Sequence, residues 1–336
     1  MTEVIPGINL LQLPLPSRDI LMGYVNIYLI QGDNGCLLVD TGWDTEQAFD
    51  SLKRQLAEIG THFEDISQIV ATHIHPDHHG LAGRLKQLSP AKIAMHHLER
   101  DLVEPYSDVP KLMQQEIEWM QINGVPVNEF AQVIAQMQAT YPEMMNFTPP
   151  VLPDTTLQGG EVISVGSFTF KVLWTPGHSP GHICLYEPIK KILIAGDHIL
   201  PTITPVIELH PYSSDNPLGD YINSLNAVKP LGVNLVLPGH GKPFNGLQSR
   251  IEEIIQHHKQ RNSAILEIIK AKPKTAYQIA NEILWMPDLG GVSWRDLAPG
   301  DKVMAVSETL AHLESMRFSG EVDKFYKDSI IYYQAT

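Results

Sequence analysis

The chain has only two cysteines in 336 residues, Cys36 and Cys184, and neither belongs to a Cys-x-x-Cys pair. This excludes a disulfide-stapled scaffold and argues against a cysteine-based zinc or redox motif. Each cysteine sits in an apolar run, Cys36-Leu37-Leu38-Val39 or Ile183-Cys184-Leu185-Tyr186, and reads as a small hydrophobe on a buried strand in a reducing compartment. Long hydrophobic runs are also missing, since nothing approaches the roughly 20 apolar residues that span a bilayer. The stretch Met1 to Gly7 lacks the basic and apolar segments of a secretory leader, so a soluble, cytoplasmic protein with no membrane partner is expected. Positive charge is scarce in one part only: residues 1–241 hold 12 Lys and Arg against 26 Asp and Glu, while residues 242–336 hold 12 of each. The formal charge of -14 thus belongs to the first part, where it repels polyanions over a Debye length and makes nucleic acid a poor partner. Low-complexity tracts and internal repeats are absent, and 43% hydrophobic with 18% charged residues is the composition of an ordinary globular chain.

What is present is an alternation of strands and helices. Residues Val25 to Asp40 read as strand, turn and strand, with Gly32-Asp33-Asn34-Gly35 at the turn. Thr45 is positioned to cap a helix running to about residue 58 with Phe49, Leu52 and Leu56 on one face, and Ile66 to Ala71 is the next strand. Helix after strand implies helices layered on a sheet. Residues 98–147 break this rhythm with helical periodicity over Leu112–Ile122 and Val127–Ala139, and with five methionines, Met113, Met120, Met137, Met144 and Met145. Two readings stand: an adaptable lid that receives a lipophilic group, or an ordinary helix-hairpin core. Strand signals resume over Glu161–Val165, Phe168–Trp174, Ile183–Tyr186, Ile192–Ala195 and Leu235–Leu237. Beyond Gly241 come helical patterns at Leu247–Ile269, Ala276–Leu284 and Lys302–Met316, then a short hairpin over 317–333. Three helices and a wing suggest a small winged-helix domain. The expected organisation is a catalytic domain over 1–245, carrying a helical insertion or lid at 98–147, and a C-terminal domain over 246–336.

The chemistry concentrates in loops that follow apolar strands. Thr72-His73-Ile74-His75-Pro76-Asp77-His78-His79-Gly80 packs four histidines and an aspartate into one turn, and His178, Asp197 and His240 stand in three later loops. Histidine and carboxylate are the usual ligands of zinc and similar borderline ions. A polar loop with solvated histidines is the bland alternative; it suits an isolated His-x-His better than a His-x-His-x-Asp-His run backed by Gly80.

The order and chemistry of these loops resemble the metallo-beta-lactamase superfamily over residues 20–241, from Val39-Asp40-Thr41-Gly42 to Pro238-Gly239-His240. The resemblance implies an α/β fold, the alpha-beta/beta-alpha sandwich, with metals at one edge of two facing sheets. It further implies two divalent metal ions. His73, His75 and His178 would ligate the first, Asp77, His78 and His240 the second, and Asp197 would bridge them. Zinc is the first expectation, and iron or manganese accepts similar ligands. A carboxylate shared by cations about 3.5–4 Å apart is a known device for generating a metal-bound hydroxide near neutral pH, which Asp77, as the catalytic residue, would orient. Asp40 and His182 would steady the ligand loops by hydrogen bonds. His198 would either face the substrate or pack as a buried histidine. His79 would point away, into solvent or behind the ligands, and His96-His97 reads as a structural pair.

The C-terminal part resembles the winged-helix tail of the beta-lactamase-like protein 2 branch, which includes a metal-dependent endoribonuclease acting on single-stranded RNA. The matching residues are Ile254 to Arg261, Ala311-His312-Leu313 and Ser319-Gly320-Glu321-Val322, with Lys259 where that branch carries an arginine. Glyoxalase II shares the histidine motifs but has a basic glutathione-binding segment not found here, and flavodiiron proteins carry a glutamate where His75 stands. The expected function is a dinuclear hydrolase using metal-bound hydroxide on a small ester, thioester or lactone. If the Met-rich segment is a lid, that small-molecule substrate would be lipophilic. Two alternatives are the endoribonuclease, disfavoured by the acidic first part, and a non-catalytic metal-binding scaffold, disfavoured because all seven ligands are kept. The tail would either close one wall of the pocket or mediate a homodimer.

Overall fold

A computed structural model describes residues 2–16, 23–129, 131, 135, 148–285 and 290–336. Two compact units emerge, the first formed by Met1–Ser107, Glu143–Pro205 and Ser224–Ile251, the second by Asp108–Pro142, Val206–Asn223 and Glu252–Thr336.

The first unit is built on two sheets. Strands β1 (Thr2–Ile5), β2 (Ile8–Pro14), β3 (Tyr24–Ile30), β4 (Cys36–Val39), β5 (Ile66–Val70), β6 (Lys92–His96) and β7 (Thr155–Leu157) pair in chain order. The first four are antiparallel, and β4 through β7 run parallel. Strands β8 (Val162–Val165), β9 (Phe168–Trp174), β10 (Ile183–Glu187), β11 (Ile192–Gly196) and β12 (Leu235–Pro238) form the second sheet, with β11 and β12 parallel.

Period-two alternation sorts the side chains of each strand between two cores. Tyr28 and Ile30 of β3 and Leu37 and Val39 of β4 meet Ile183, Leu185, Ile192 and Ile194 of the second sheet, so the sheets face one another across a dry layer. Val25, Ile27, Leu29 and Leu38 point the other way, onto Phe49, Leu52 and Leu56 of the helix Glu46–Glu58 and Ala82 and Leu85 of the helix Ala82–Leu88. The first of those helices begins where Thr45 accepts the Ala48 N–H, as its sequence predicts. Cys36 and Cys184 are free thiols, both buried.

In the second unit the helix Val109–Ile122 is capped by Asp108, and the helix Ala276–Glu282 by a reciprocal Thr275–Gln278 box. The helix Leu247–Ile269 has the expected bounds and starts in the first unit, while the last helix, Pro299–Phe318, is longer than the apolar stripe that signals it because its end turns are polar. The helix expected over Ala276–Leu284 stops at Glu282, since Ile283 turns to an extended conformation. The C-terminal hairpin pairs β13 (Val322–Lys327) with β14 (Ile330–Ala335), and its turn residues Asp328 and Ser329 take the positive φ that a two-residue turn needs. Its Tyr333 is buried and donates to Glu314. Of the expected insertion, the helix His97–Ser107 belongs to the first unit and Val109–Ile122 to the second. Most of Val127–Ala139, with Met137, Met144 and Met145, lies outside the described residues. Among the described residues, no helix is long and apolar enough to cross a membrane.

Leu37 is fully buried between the sheets, whereas Ile189 is 83% exposed. Leu37→Ala should therefore cost about 2–5 kcal/mol, and Ile189→Ala no more than about 0.5 kcal/mol, in chemical denaturation. Equal losses would contradict a close-packed layer between the sheets.

Candidate metal centre

The chemistry-bearing loops leave the C-terminal ends of β4, β5, β11 and β12 and the turn between β9 and β10. After β5 the chain is held extended at His75 by the following Pro76, which opens a one-turn helix, Pro76–His79. Asp40, just past β4, adopts φ 63°, a left-handed conformation that aspartate tolerates better than most residues. Its carboxylate then accepts the Thr72 N–H at 2.7 Å, the Thr72 hydroxyl at 3.0 Å and His78 Nδ1 at 2.8 Å. With the Thr72 proton on Asp40, Thr72 Oγ1 accepts from His73 Nδ1 at 3.0 Å. His240 Nδ1 donates to the Tyr24 carbonyl at 2.9 Å. These partners make Nδ1 the protonated nitrogen of His73 and, if neutral, of His78 and His240, and leave each Nε2 lone pair for the site. His73 Nε2 is buried without a hydrogen-bond partner.

Strand β3 steadies the His240 loop. Asn26 Nδ2 donates to the Pro238 and Gly241 carbonyls at 2.9 and 2.7 Å, the Tyr28 hydroxyl reaches Pro238 O at 2.8 Å, and the Asn26 N–H bonds Gly239 O at 2.7 Å. Gly239 is required by space: a Cβ there would lie 2.3 Å from Asp197 Oδ1 and 2.8 Å from His78 Cε1.

The result is a convergence of seven side chains. Within each of three groups, His73–His75–His178, His73–His78–Asp197 and Asp77–His78–His240, the donor atoms lie within 4.8 Å of one another. Asp197 reaches toward both sides, with Oδ2 3.8 Å from His178 Nε2 and 3.5 Å from His240 Nε2, and Oδ1 3.5 Å from His78 Nε2. Asp77 Oδ2 lies 3.2 Å from His240 Nε2.

Protonation follows charge. Burial, reinforced by neighbouring imidazoles, holds His73 well below the usual histidine range and His75 down to about 3, so both are neutral imidazoles. Burial works against charge at His240 and His78 as well, but the Asp197 and Asp77 carboxylates prevail, raising His240 to about 10 and His78 well above its ordinary value. The same contacts overcome burial to hold Asp77 down to about 2 and Asp197 well below the carboxylate range. In the absence of another cation, protons on His78 and His240 thus neutralise the two carboxylates. The same carboxylate and imidazole atoms would hold a divalent ion in place of those protons, so the donor set fits a metal.

Other residues singled out in the sequence take definite places. His182 is neutral through burial; its Nε2 accepts the Asp197 N–H at 3.2 Å and its Nδ1 meets Thr175 Oγ1 at 2.9 Å. His198 is fully buried, with its ring centroid 5.9 Å from that of His182. Of the two places expected for His79, solvent or behind the ligand loop, the first is excluded: it is 2% exposed, because the short helix turns its ring into the protein, and burial pushes it down to about 4. His96 stacks on Trp174 with ring centroids 5.4 Å apart and lies tilted against His97 at 4.4 Å, and neither histidine belongs to the three donor groups. Sequence reasoning missed Asn26, Tyr28 and Glu99, whose polar groups hold the loops from elements that carry no metal-binding pattern, and Thr175, which holds His182 from within the His178 loop.

The profile of the metallo-beta-lactamase superfamily matches residues 21–240. A Bacillus subtilis protein named probable metallo-hydrolase YqjP is 26% identical over 322 residues, spanning 93% of this chain and 94% of that protein. The human acyl-coenzyme A thioesterase MBLAC2 is 29% identical over 231 residues, 65% of this chain and 74% of that protein. The crystal structure of a metallo-beta-lactamase family protein from Thermus thermophilus superposes with a TM-score of 0.82 at 30% identity, covering 99% of this chain and all of that one. The chain belongs to the metallo-beta-lactamase superfamily, and by class it is a metal-dependent hydrolase.

Because Asp40 is the shared acceptor behind His73 and His78, Asp40→Ala should weaken divalent-metal binding by about 10- to 100-fold. Competition with a chromophoric chelator measures this; wild-type affinity in the folded variant would remove Asp40 from that role.

Proposed function

We propose that the protein is a dinuclear hydrolase that holds two divalent ions, zinc by preference, and cleaves a small carboxylic ester, thioester or lactone. The observation that carries this reading is the convergence of His73, His75, Asp77, His78, His178, Asp197 and His240 in three overlapping donor groups. When bound, a pair of divalent ions acidifies water and polarises an acyl carbonyl. His73, His75 and His178 serve as neutral ligands on one side, Asp77, His78 and His240 serve on the other, and Asp197 spans both. Asp77, ionised at neutral pH, also orients the attacking water. Imidazole with carboxylate suits zinc, and iron and manganese take the same donors.

Two observations support an acyl substrate. The human relative is named as an acyl-coenzyme A thioesterase. The acidity of residues 1–241 opposes a polyanion such as RNA. Under the same reading residues 1–245 carry the chemistry. Residues 246–336 form a winged-helix-like domain, for which the order of three helices followed by the hairpin of β13 and β14 is the support.

Purified protein should hydrolyse members of a panel of acyl esters, acyl thioesters and lactones, lose that activity to a chelator, and leave phosphodiesters and single-stranded RNA intact. Cleavage of RNA alone would make the protein a nuclease. His75→Ala and Asp197→Ala should each reduce hydrolysis to the chelator-treated level while circular dichroism shows a folded chain; full activity in either would refute the dinuclear assignment.

A further inference from the structure

Glu99 lies in the first turn of the helix His97–Ser107, after β6, and is fully buried. Its carboxylate joins two ligand loops that are far apart in sequence. Oε2 accepts the N–H of Ile74, between His73 and His75, at 2.8 Å. Oε1 accepts the hydroxyl of Ser179, the residue after His178, at 2.7 Å and the N–H of Gly181 at 2.6 Å. Two of these donors are backbone amides that cannot reverse their role, so each carboxylate oxygen has a fixed acceptor duty. The fit leaves no slack: a Cβ on Gly181 would lie 2.8 Å from both Glu99 Cγ and Glu99 N. Burial raises the Glu99 carboxyl above its usual range, and these three hydrogen bonds work the other way, favouring its charged form.

The tie is selective. It touches the loops of His73, His75 and His178, whose donor atoms form one group, whereas His78 is braced by Asp40 and His240 by Tyr24 and its loop by Asn26. We propose that Glu99 is a positioning residue that sets the distance between the His73–His75 loop and the His178 loop, and thereby the affinity of the three-histidine group for its divalent ion. The proposal rests on the metal-centre reading above and assigns Glu99 neither ligation nor contact with substrate. Hydrogen-bonded supports of this kind are worth about 10- to 100-fold in metal affinity.

The discriminating variant is Glu99→Gln. It keeps the volume, and its oxygen still serves Ser179 and Gly181, but its amide then presents a donor to the Ile74 N–H, so the His73–His75 loop loses its tie. Zinc titration of the full chain against a chromophoric chelator should show one of two binding steps weakened by about 10- to 100-fold in Glu99→Gln, with the other step unchanged. The visible spectrum of the cobalt-substituted variant should change in the bands belonging to the weakened step. Glu99→Ala should deepen the same selective loss, and where it fails to fold, Glu99→Gln decides. Two steps of wild-type affinity in a folded Glu99→Gln would overturn the proposal. An equal weakening of both steps together with a lowered melting temperature would also overturn it, by making Glu99 a general structural support. A wild-type chain that bound no zinc would instead overturn the metal centre itself.

Discussion

Everything in the first unit answers to one electrostatic problem, the burial of the carboxylates Asp40, Asp77 and Asp197 in a single pocket of imidazoles. An ionised carboxylate taken from water is costly unless it meets donors or positive charge. Asp40 meets donors: an amide, a hydroxyl and an imidazole N–H converge on it. Asp77 and Asp197 meet His78 and His240, whose pKa values the two carboxylates raise above the ordinary histidine range. The pocket is thus divided between a carboxylate satisfied by hydrogen-bond donors and two that face imidazoles across the cluster.

Holding such a pocket open to an ion and closed to collapse is a task for the backbone. The C-terminal ends of β4, β5, β11 and β12 are fixed by two cores, one between the sheets and one beneath the helices. Short loops from a rigid sheet carry few degrees of freedom, so modest numbers of hydrogen bonds orient them. Strand β3 contributes no ligand, yet Asn26 and Tyr28 hold the His240 loop through side chains in the same register that elsewhere builds the core. Packing and positioning are therefore functions of the same strand, divided between neighbouring residues.

Much of this is legible in the sequence because histidine and carboxylate are characteristic metal-binding groups, and four side chains of the cluster share one loop. The alternation of strands and helices exposes the layers, and Thr45 with Phe49, Leu52 and Leu56 marks the helix covering one sheet. The supporting residues are less visible for a physical reason: a hydrogen bond to a backbone amide can come from any element that the tertiary fold brings near. Glu99 looks like an ordinary charge on a helix surface until the chain folds back, and Asn26 like a polar interruption of an apolar strand. The burial of His79 escapes sequence reasoning because a one-turn helix has no periodicity long enough to tell which face is buried. The organisation of the second unit is obscured by its discontinuity, since it gathers three separate stretches of chain.

Gly239 carries a consequence for how this enzyme is able to change. A carbon atom added there would fall 2.3 Å from Asp197 Oδ1, and at Gly181 it would collide with Glu99. The floor of the centre is frozen against even the smallest enlargement, by a methyl group, whichever chemistry selection or a designer seeks. New substrate preferences must then be written at positions other than these two glycines and the side chains packed against them.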